Sequence, residues 1–461
     1  MTLASAAPPV STLQGIARNV LDLARHHGAT AAEVVLAQGR EASFEVRNGT
    51  VDKLEEGASR SLTLRLFQGE RAAGASTSDL SPEHLDRLVR DTLALAAHAD
   101  PVPEAALGDP DRLASSLPDL DLHDPAIAEI PPEEKIARAR ELEQRAMDAD
   151  PRLTVSDGAS WGDAETTRVL ANSHGFCEGW RSSAAGTSVS VVADDTGGRK
   201  RRGAWGSWGR HLDQLLPPDE IASTAAHRAT RQIGASPIPT GRMPVVFENT
   251  TGGALLGLLF STLTGGAIER RASWLVDRLG DTIGSPLLHV VDDPLLPRRI
   301  GSRPFDGEGA PAAPTTFLEH GTLRTYALNS YHARRLGLAP TGHASFPSGG
   351  STGENASNLA LQPGPHPPEH LIEGIERGFY CTAMMGFGFN ASTGDFSRGA
   401  AGFLIENGTL GPPVSEVTLS CNFHDLWTRL DAVANDLPLD RRVATPSFRI
   451  REMTLGGRDD R

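Results

Sequence analysis

The sequence predicts an α+β protein. A pseudo-duplicated α/β N-terminal domain, residues 1–235 with halves at about 11–100 and 131–235, precedes a β-rich C-terminal domain over 241–461. Three observations predict this. A helix, a strand meander and a second, proline-opened helix follow one another twice; the Pro-rich stretch Ser236-Pro237-Ile238-Pro239-Thr240-Gly241 then interrupts the chain; and the remainder is rich in glycine and hairpin turns. A chain of 461 residues is long enough for about three domains, each with its own core.

In the first half, apolar residues recur at helical spacing from about Leu13 to His27 (Ile16, Val20, Leu23), and Gly28 stops the helix. Glu33 to Gln38 and Ala42 to Arg47 alternate in polarity, Asn48-Gly49 is a two-residue hairpin turn, and Ser61 to Phe67 continues the meander. Ser81-Pro82-Glu83 supplies a capping residue, a first-turn proline and a carboxylate suited to the helix dipole. After a Pro- and Asp-rich connection from Asp100 to Pro131 the order returns. Pro131-Pro132-Glu133-Glu134 opens a helix to about Asp148, and strands lie near Val155, Arg168 to Ala171, Thr187 to Val192 and Gly203 to Trp208. Pro217-Pro218-Asp219-Glu220 opens the closing helix, and the turn near Asn172-Ser173 takes the place of Asn48-Gly49. Beyond the linker, a helix over about Ala254 to Thr264 leads into strands with turns at His320-Gly321 and Asn407-Gly408, joined by Gly-rich connections such as Ser348 to Asn355.

Charge and cysteine content narrow the function classes. Lys plus Arg number 44 against 58 Asp plus Glu, a net charge of −14, so nucleic acid and anionic membrane surfaces are set aside as main partners. The one basic run, Arg199-Lys200-Arg201-Arg202, is short. Three widely spaced cysteines, Cys177, Cys381 and Cys421, fit reduced thiols better than a disulfide framework. Met1 to Val10 lacks the pattern of a secretory signal, and the most apolar stretch, Ala254 to Phe260, is too short to span a bilayer, so a soluble cytoplasmic protein is expected.

Few motifs carry chemistry by themselves. A zinc peptidase helix needs two imidazoles one turn apart and a carboxylate to take the proton of water, and neither His-Glu-x-x-His nor His-Glu-x-x-x-His occurs. His366-Pro-Pro-Glu-His370 repeats the proline-started helix openings at Pro131 and Pro217. Cys421-Asn-Phe-His424 offers a thiol and an imidazole without a second pair of matching spacing. Gly386-Phe-Gly388 lacks the later glycine of a dinucleotide fingerprint, and Ser348 to Gly353 lacks the lysine of a phosphate loop. More informative is the run Thr393 to Gly408. Its small residues leave room for a backbone or ligand to approach, with Asp395 and Arg398 at its entrance. The substrate-cleft candidates are Gly394, Asp395, Ser397, Arg398, Gly399 and Ala401, and an extended peptide adding a strand here is one reading; tight packing is the other.

Those residues, with Asn435-Asp436-Leu437, Ala444-Thr445-Pro446-Ser447 and Glu452 to Gly457, resemble the PmbA/TldE branch of the TldD/PmbA family. Pro304-Phe305-Asp306-Gly307-Glu308-Gly309, Tyr331 to Gly337, Thr341-Gly342-His343-Ala344 and Arg47-Asn48-Gly49 match as well, so the resemblance spans nearly the whole chain. It implies a duplicated N-terminal region, a β-rich C-terminal domain, and a cytoplasmic hetero-oligomer in which TldD-type and TldE-type subunits enclose a peptide cleft. The implied activity is proteolysis of unfolded or extended peptides, including leader peptides. In the TldD-type subunit one helix carries the zinc ligands. Here the corresponding stretch, Gly252 to Ser273, contains no His, and no Cys lies between Asn435 and Pro446 where the family's third ligand would fall. The resemblance therefore implies a TldE-type subunit with no catalytic residue and no metal of its own, zinc being expected in the partner. A free-standing peptide-binding or structural protein, and a hydrolase using Cys421 or Ser397, remain open as alternatives.

Overall fold

A computed structural model of the chain describes residues 7–347 and 352–458. Ser348 to Ser351 of the Gly-rich connection, and most of the N-terminal stretch read for a signal, lie outside the described residues.

The first half follows its polarity pattern. Helix α1 (Val10–His26) leads to β1 (Ala31–Arg47), and Asn48 (φ 50°) and Gly49 (φ 73°) then turn the chain into β2 (Thr50–Gln68). β3 (Arg71–Thr77) and α2 (Pro82–His98) complete the unit. The polar break at Gly39-Arg40-Glu41 predicts two strands, but the structure has one. A Cβ on Gly39 would lie 2.4 Å from the Glu165 carbonyl oxygen, so this glycine admits a neighbouring strand instead of marking a turn. After a single-turn helix α3 (Ala126–Glu129), the order repeats as α4 (Pro132–Asp148), β4 (Leu153–Asn172), β5 (Cys177–Asp194), β6 (Lys200–Gly209) and α5 (Pro218–Thr230).

Both meanders join one antiparallel sheet of order β3-β2-β1-β4-β5-β6, with β1 and β4 paired from Glu33/Asn172 to Val46/Ala159. All four long helices pack on one face. Val34, Leu36 and Leu64 meet Leu13, Val20 and Val89 at one end, and Val189 and Val191 meet Leu142 and Ile221 at the other. On this face Lys135 of α4 places Nζ 2.6 Å from Asp163 Oδ2, both side chains almost fully buried, and Arg40 lies 3.4 Å from Oδ1.

In the second half, β7 (Gly241–Phe247) precedes α6 (Asn249–Leu263) and the short α7 (Gly265–Glu269). A small sheet of order β10-β9-β8-β11-β16 contains β8 (Val290–Asp292), β9 (Thr315–Glu319), β10 (Thr322–Leu323), β11 (Leu359–Leu361) and β16 (Val443–Ala444), and α8 (Ser330–Leu336) follows β10 in sequence. The main sheet takes the order β14-β13-β12-β7-β17-β15, from β12 (Arg377–Met385), β13 (Asp395–Glu406), β14 (Thr409–Asn422), β15 (Leu430–Val433) and β17 (Phe448–Gly456), with α9 (Phe423–Thr428) between β14 and β15. β14 also pairs with β17, which closes five strands into a barrel. Phe247, Phe379, Trp427 and Phe448 fill the large core. Pairing is mainly antiparallel, with β7–β12 and β11–β16 parallel.

The barrel corrects one expectation. β13 is hydrogen-bonded to β12 on one side and β14 on the other, so its backbone is not an edge to which a peptide strand can add.

Candidate cleft between the two halves

The N-terminal sheet face opposite the helices carries small and polar side chains and looks toward the second half. Between them lies a cavity of about 990 Å³. One wall holds Ser160 of β4, Ser188 and Ser190 of β5, and Trp208 of β6; the other holds Thr250, Thr251 and Ala254 of α6, Thr382 to Met384 of β12, and Arg398 of β13. Gly186 admits the Trp208 indole, since a Cβ there would sit 2.0 Å from the ring. The alternation Ser188-Val189-Ser190-Val191 sends valines to the helices and serines to the cavity, a signal legible in the sequence yet not read there as a cleft wall.

Charge on these walls is largely paired. Arg202 holds Asp157 at 2.9 Å, and Arg228 and Arg231 hold Glu248 at 2.6 and 3.3 Å beside the start of α6. Burial pushes the Glu248 carboxyl up, but Arg228, Thr250 and Arg231 outweigh it and keep the group below its ordinary range.

The separated sequence motifs converge at this helix start. Ser447 donates from its backbone N–H and its hydroxyl to the two Asp436 oxygens, at 2.8 and 2.7 Å, while Asn249 donates from its backbone to Ser447 Oγ (3.0 Å) and from Nδ2 to the Asp436 carbonyl (2.9 Å). A Cβ on Gly252 would fall 2.1 Å from Thr445 Oγ1, and one on Gly253 2.8 Å from the Val443 carbonyl oxygen. These glycines let the 443–448 segment lie against α6.

The donor set does not fit a zinc ion. From Asn249 to Leu263, α6 contains no His, Cys, Asp or Glu, and Thr264 leaves the helical region (ψ 141°) before α7 begins. Among the described residues, no group of three His, Cys, Asp or Glu side chains is placed to hold a metal. His366 and His370 stack on each other at 5.1 Å. Cys421 is a thiol pushed up to about 12 by burial, and His424 packs edge-on to Trp274 at 6.1 Å; neither arrangement activates a nucleophile.

The residues singled out from Gly394 to Ala401, at the start of β13 and along it, fall in different places. Asp395 accepts from Thr393 Oγ1 (2.6 Å) and Asn422 Nδ2 (3.2 Å), Gly394 (φ 79°) turns the chain beside Asn422, and Ser397 shares a 3.0 Å bond with Ser420, all in the loop and the barrel wall. Gly399 faces Met385 and Ala401 pairs with Ala383 inside the sheet. Arg398 lines the cleft, and its buried Nε has no hydrogen-bond partner among the described residues.

The motif Pro304 to Gly309 fastens the two halves together. Phe305 is fully buried and meets Phe176 and Trp180 edge-on, each at 5.0 Å. Asp306 accepts backbone N–H groups from Glu308, Ala310 and Ala344, and Glu308 accepts the Ser330 N–H at 3.0 Å and its hydroxyl at 2.5 Å. Burial, then the Asp306 carboxylate, push Glu308 up to about 7. The folded state therefore holds a proton that the unfolded chain releases near its ordinary carboxyl range. This contribution to stability is fully present below about pH 4.5 and is lost as pH rises through 7. Glu308→Gln should remove that loss, leaving the variant roughly 1–3 kcal/mol more stable than wild type at pH 8 relative to their difference at pH 5. Denaturant unfolding at the two pH values measures it.

Comparison with known proteins agrees with this architecture. Family models for PmbA/TldA metallopeptidase domain 1, central domain and C-terminal domain match residues 32–96, 125–233 and 240–457. Metalloprotease PmbA of Escherichia coli O157:H7 is 34% identical over 426 residues, 92% of each chain. A crystal structure of a suggested modulator of DNA gyrase from Bacteroides thetaiotaomicron superposes with a TM-score of 0.90 at 29% identity, covering 96% of this chain and 99% of that one. TldE from Thermococcus kodakarensis shares the fold at 18% identity, with a TM-score of 0.85 over 96% of this chain and 100% of that one. With three family models in consecutive order and a relative similar along nearly its whole length, the chain belongs to the TldD/PmbA metallopeptidase family.

Proposed function

We propose that this chain is the non-metal, TldE-type subunit of a two-component zinc peptidase, forming part of the cleft in which an unfolded or extended peptide lies while a TldD-type partner supplies the metal. One observation carries this reading: α6, which turns its first residues into the cleft, offers hydroxyl and methyl groups where a zinc site needs imidazoles. The chain's own residues then act by shape and hydrogen bonding. Ser160, Ser188 and Ser190 present small polar groups to a peptide backbone, and Arg398 brings a guanidinium group to the same cavity. Phe387, 97% exposed between β12 and β13, gives a partner an apolar anchor.

Mixed with a TldD-type subunit, the chain should elute as a larger complex whose peptide hydrolysis exceeds that of the partner alone. In that complex Arg398→Ala should raise KM about tenfold with a smaller change in kcat, the loss of one charge-assisted hydrogen bond. Unchanged kinetics for this variant would remove Arg398 from the substrate path, and failure to associate would leave a free-standing binder.

A further inference from the structure

A second junction cavity, of about 450 Å³, lies beside the cleft and shares Ile300 with it. Four arginines line it: Arg168 from β4, Arg210 just after β6, Arg303 next to the Phe305 motif, and Arg442 ahead of β16. Their hydrogen bonds go to carbonyl oxygens. Arg210 donates to Ser183 (3.0 Å) and Ile300 (2.7 Å), Arg303 to Gly342 (3.1 Å), and Arg442 to Ala356 (2.8 Å). Arg168 instead lies over the rings of Phe346 and Trp180, at 4.8 and 5.8 Å. Arg303 is only 7% exposed, and its Nε has no partner among the described residues. Burial and the neighbouring guanidinium groups push the Arg168 pKa down and that of Arg210 down to about 10. Arg303 feels Asp306 and Asp292 as partial compensation.

Cations crowded around a cavity repel one another, and carboxylates match several arginines of low exposure elsewhere in this chain, as Asp195 does Arg201 at 2.6 Å and Glu248 does Arg228 at 2.6 Å. Among the described residues, Asp306 and Asp292 offset only Arg303, so an anion from outside the chain can supply the remaining charge. Planar guanidinium forks are suited to the paired oxygens of phosphate or carboxylate, and a site carrying this much positive charge favours the anion with more than one negative charge. We propose that this cavity binds a multiply charged oxyanion of the phosphate type, held by Arg168, Arg210 and Arg303 with Arg442 at the exposed mouth. The proposal stands on the cavity and does not depend on the peptide reading.

Isothermal titration of the full chain with inorganic phosphate, against sodium chloride at matched ionic strength, tests it. One site per chain is expected, together with a rise of a few degrees in the thermal midpoint at saturating phosphate. Arg168→Gln and Arg210→Gln should weaken phosphate at least tenfold, with cooperative unfolding in the absence of phosphate showing that each variant is folded. Arg442→Gln, at the exposed mouth, gives the same reading should the buried variants not fold. Arg298→Gln, on an exposed arginine already paired with Asp121 and Asp213, should leave binding unchanged. Pyrophosphate should bind at least as tightly as phosphate; a dicarboxylate that binds where phosphate does not would overturn the phosphate assignment. Absence of any anion-specific heat or midpoint shift, or binding that survives the arginine variants, would overturn the site altogether.

Discussion

Gly402→Val is expected to prevent the C-terminal half from folding. A Cβ at this position would lie 1.8 Å from the Tyr380 carbonyl oxygen, on a strand paired on both sides within a closed barrel, so neither neighbour can withdraw without breaking its own ladder. The cost should exceed about 4 kcal/mol. Gly399→Ala, by contrast, meets the flexible Met385 side chain at 2.9 Å and should cost less than about 1 kcal/mol. Soluble expression and the urea midpoint of the two variants give the comparison. Similar behaviour for both would mean that the β12–β13 contact yields more readily than a closed barrel should. The contrast bears on function, since the small residues of this strand serve the barrel and Arg398 is the member of the selected set that reaches the cleft.

Lys135→Met is the second large effect. The substitution keeps the aliphatic bulk beneath Phe44 but leaves the buried Asp163 carboxylate with Arg40 at 3.4 Å as its remaining cation. Removing one partner of a buried pair typically costs about 3–5 kcal/mol, and the Arg40 contact places this case near the lower end. Changing Lys135→Met and Asp163→Asn together should recover part of that loss, and a double-mutant cycle in urea reads the coupling. A cost below about 1 kcal/mol for the single change would show that Arg40 neutralises Asp163 unaided.

How far the sequence carries this account varies by element. The duplicated helix–meander–helix order was legible because polarity alternation, Asn48-Gly49 and the prolines at helix starts act locally. Gly39 misled, since a glycine that admits a neighbouring strand and one that turns the chain look alike until the neighbour is known. α6 starts at Asn249, ahead of the Ala254 start predicted from apolar periodicity, because its first turn is held by Glu248, Asp436 and Ser447, two of which come from the far end of the chain. The family motifs were visible as words, but their meeting at that helix start was not. The four-arginine cavity was hidden for the same reason: its members lie between residues 168 and 442 with no spacing that joins them.

In the role proposed for it, this chain completes a peptidase without carrying its metal. The direct measurement is a paired one, in which zinc content and peptide hydrolysis are determined for this chain, for a TldD-type partner, and for their mixture. No stoichiometric zinc and no hydrolysis are expected for this chain alone, with chelator-sensitive hydrolysis in the mixture above that of the partner. Stoichiometric zinc together with chelator-sensitive hydrolysis in this chain alone would contradict it.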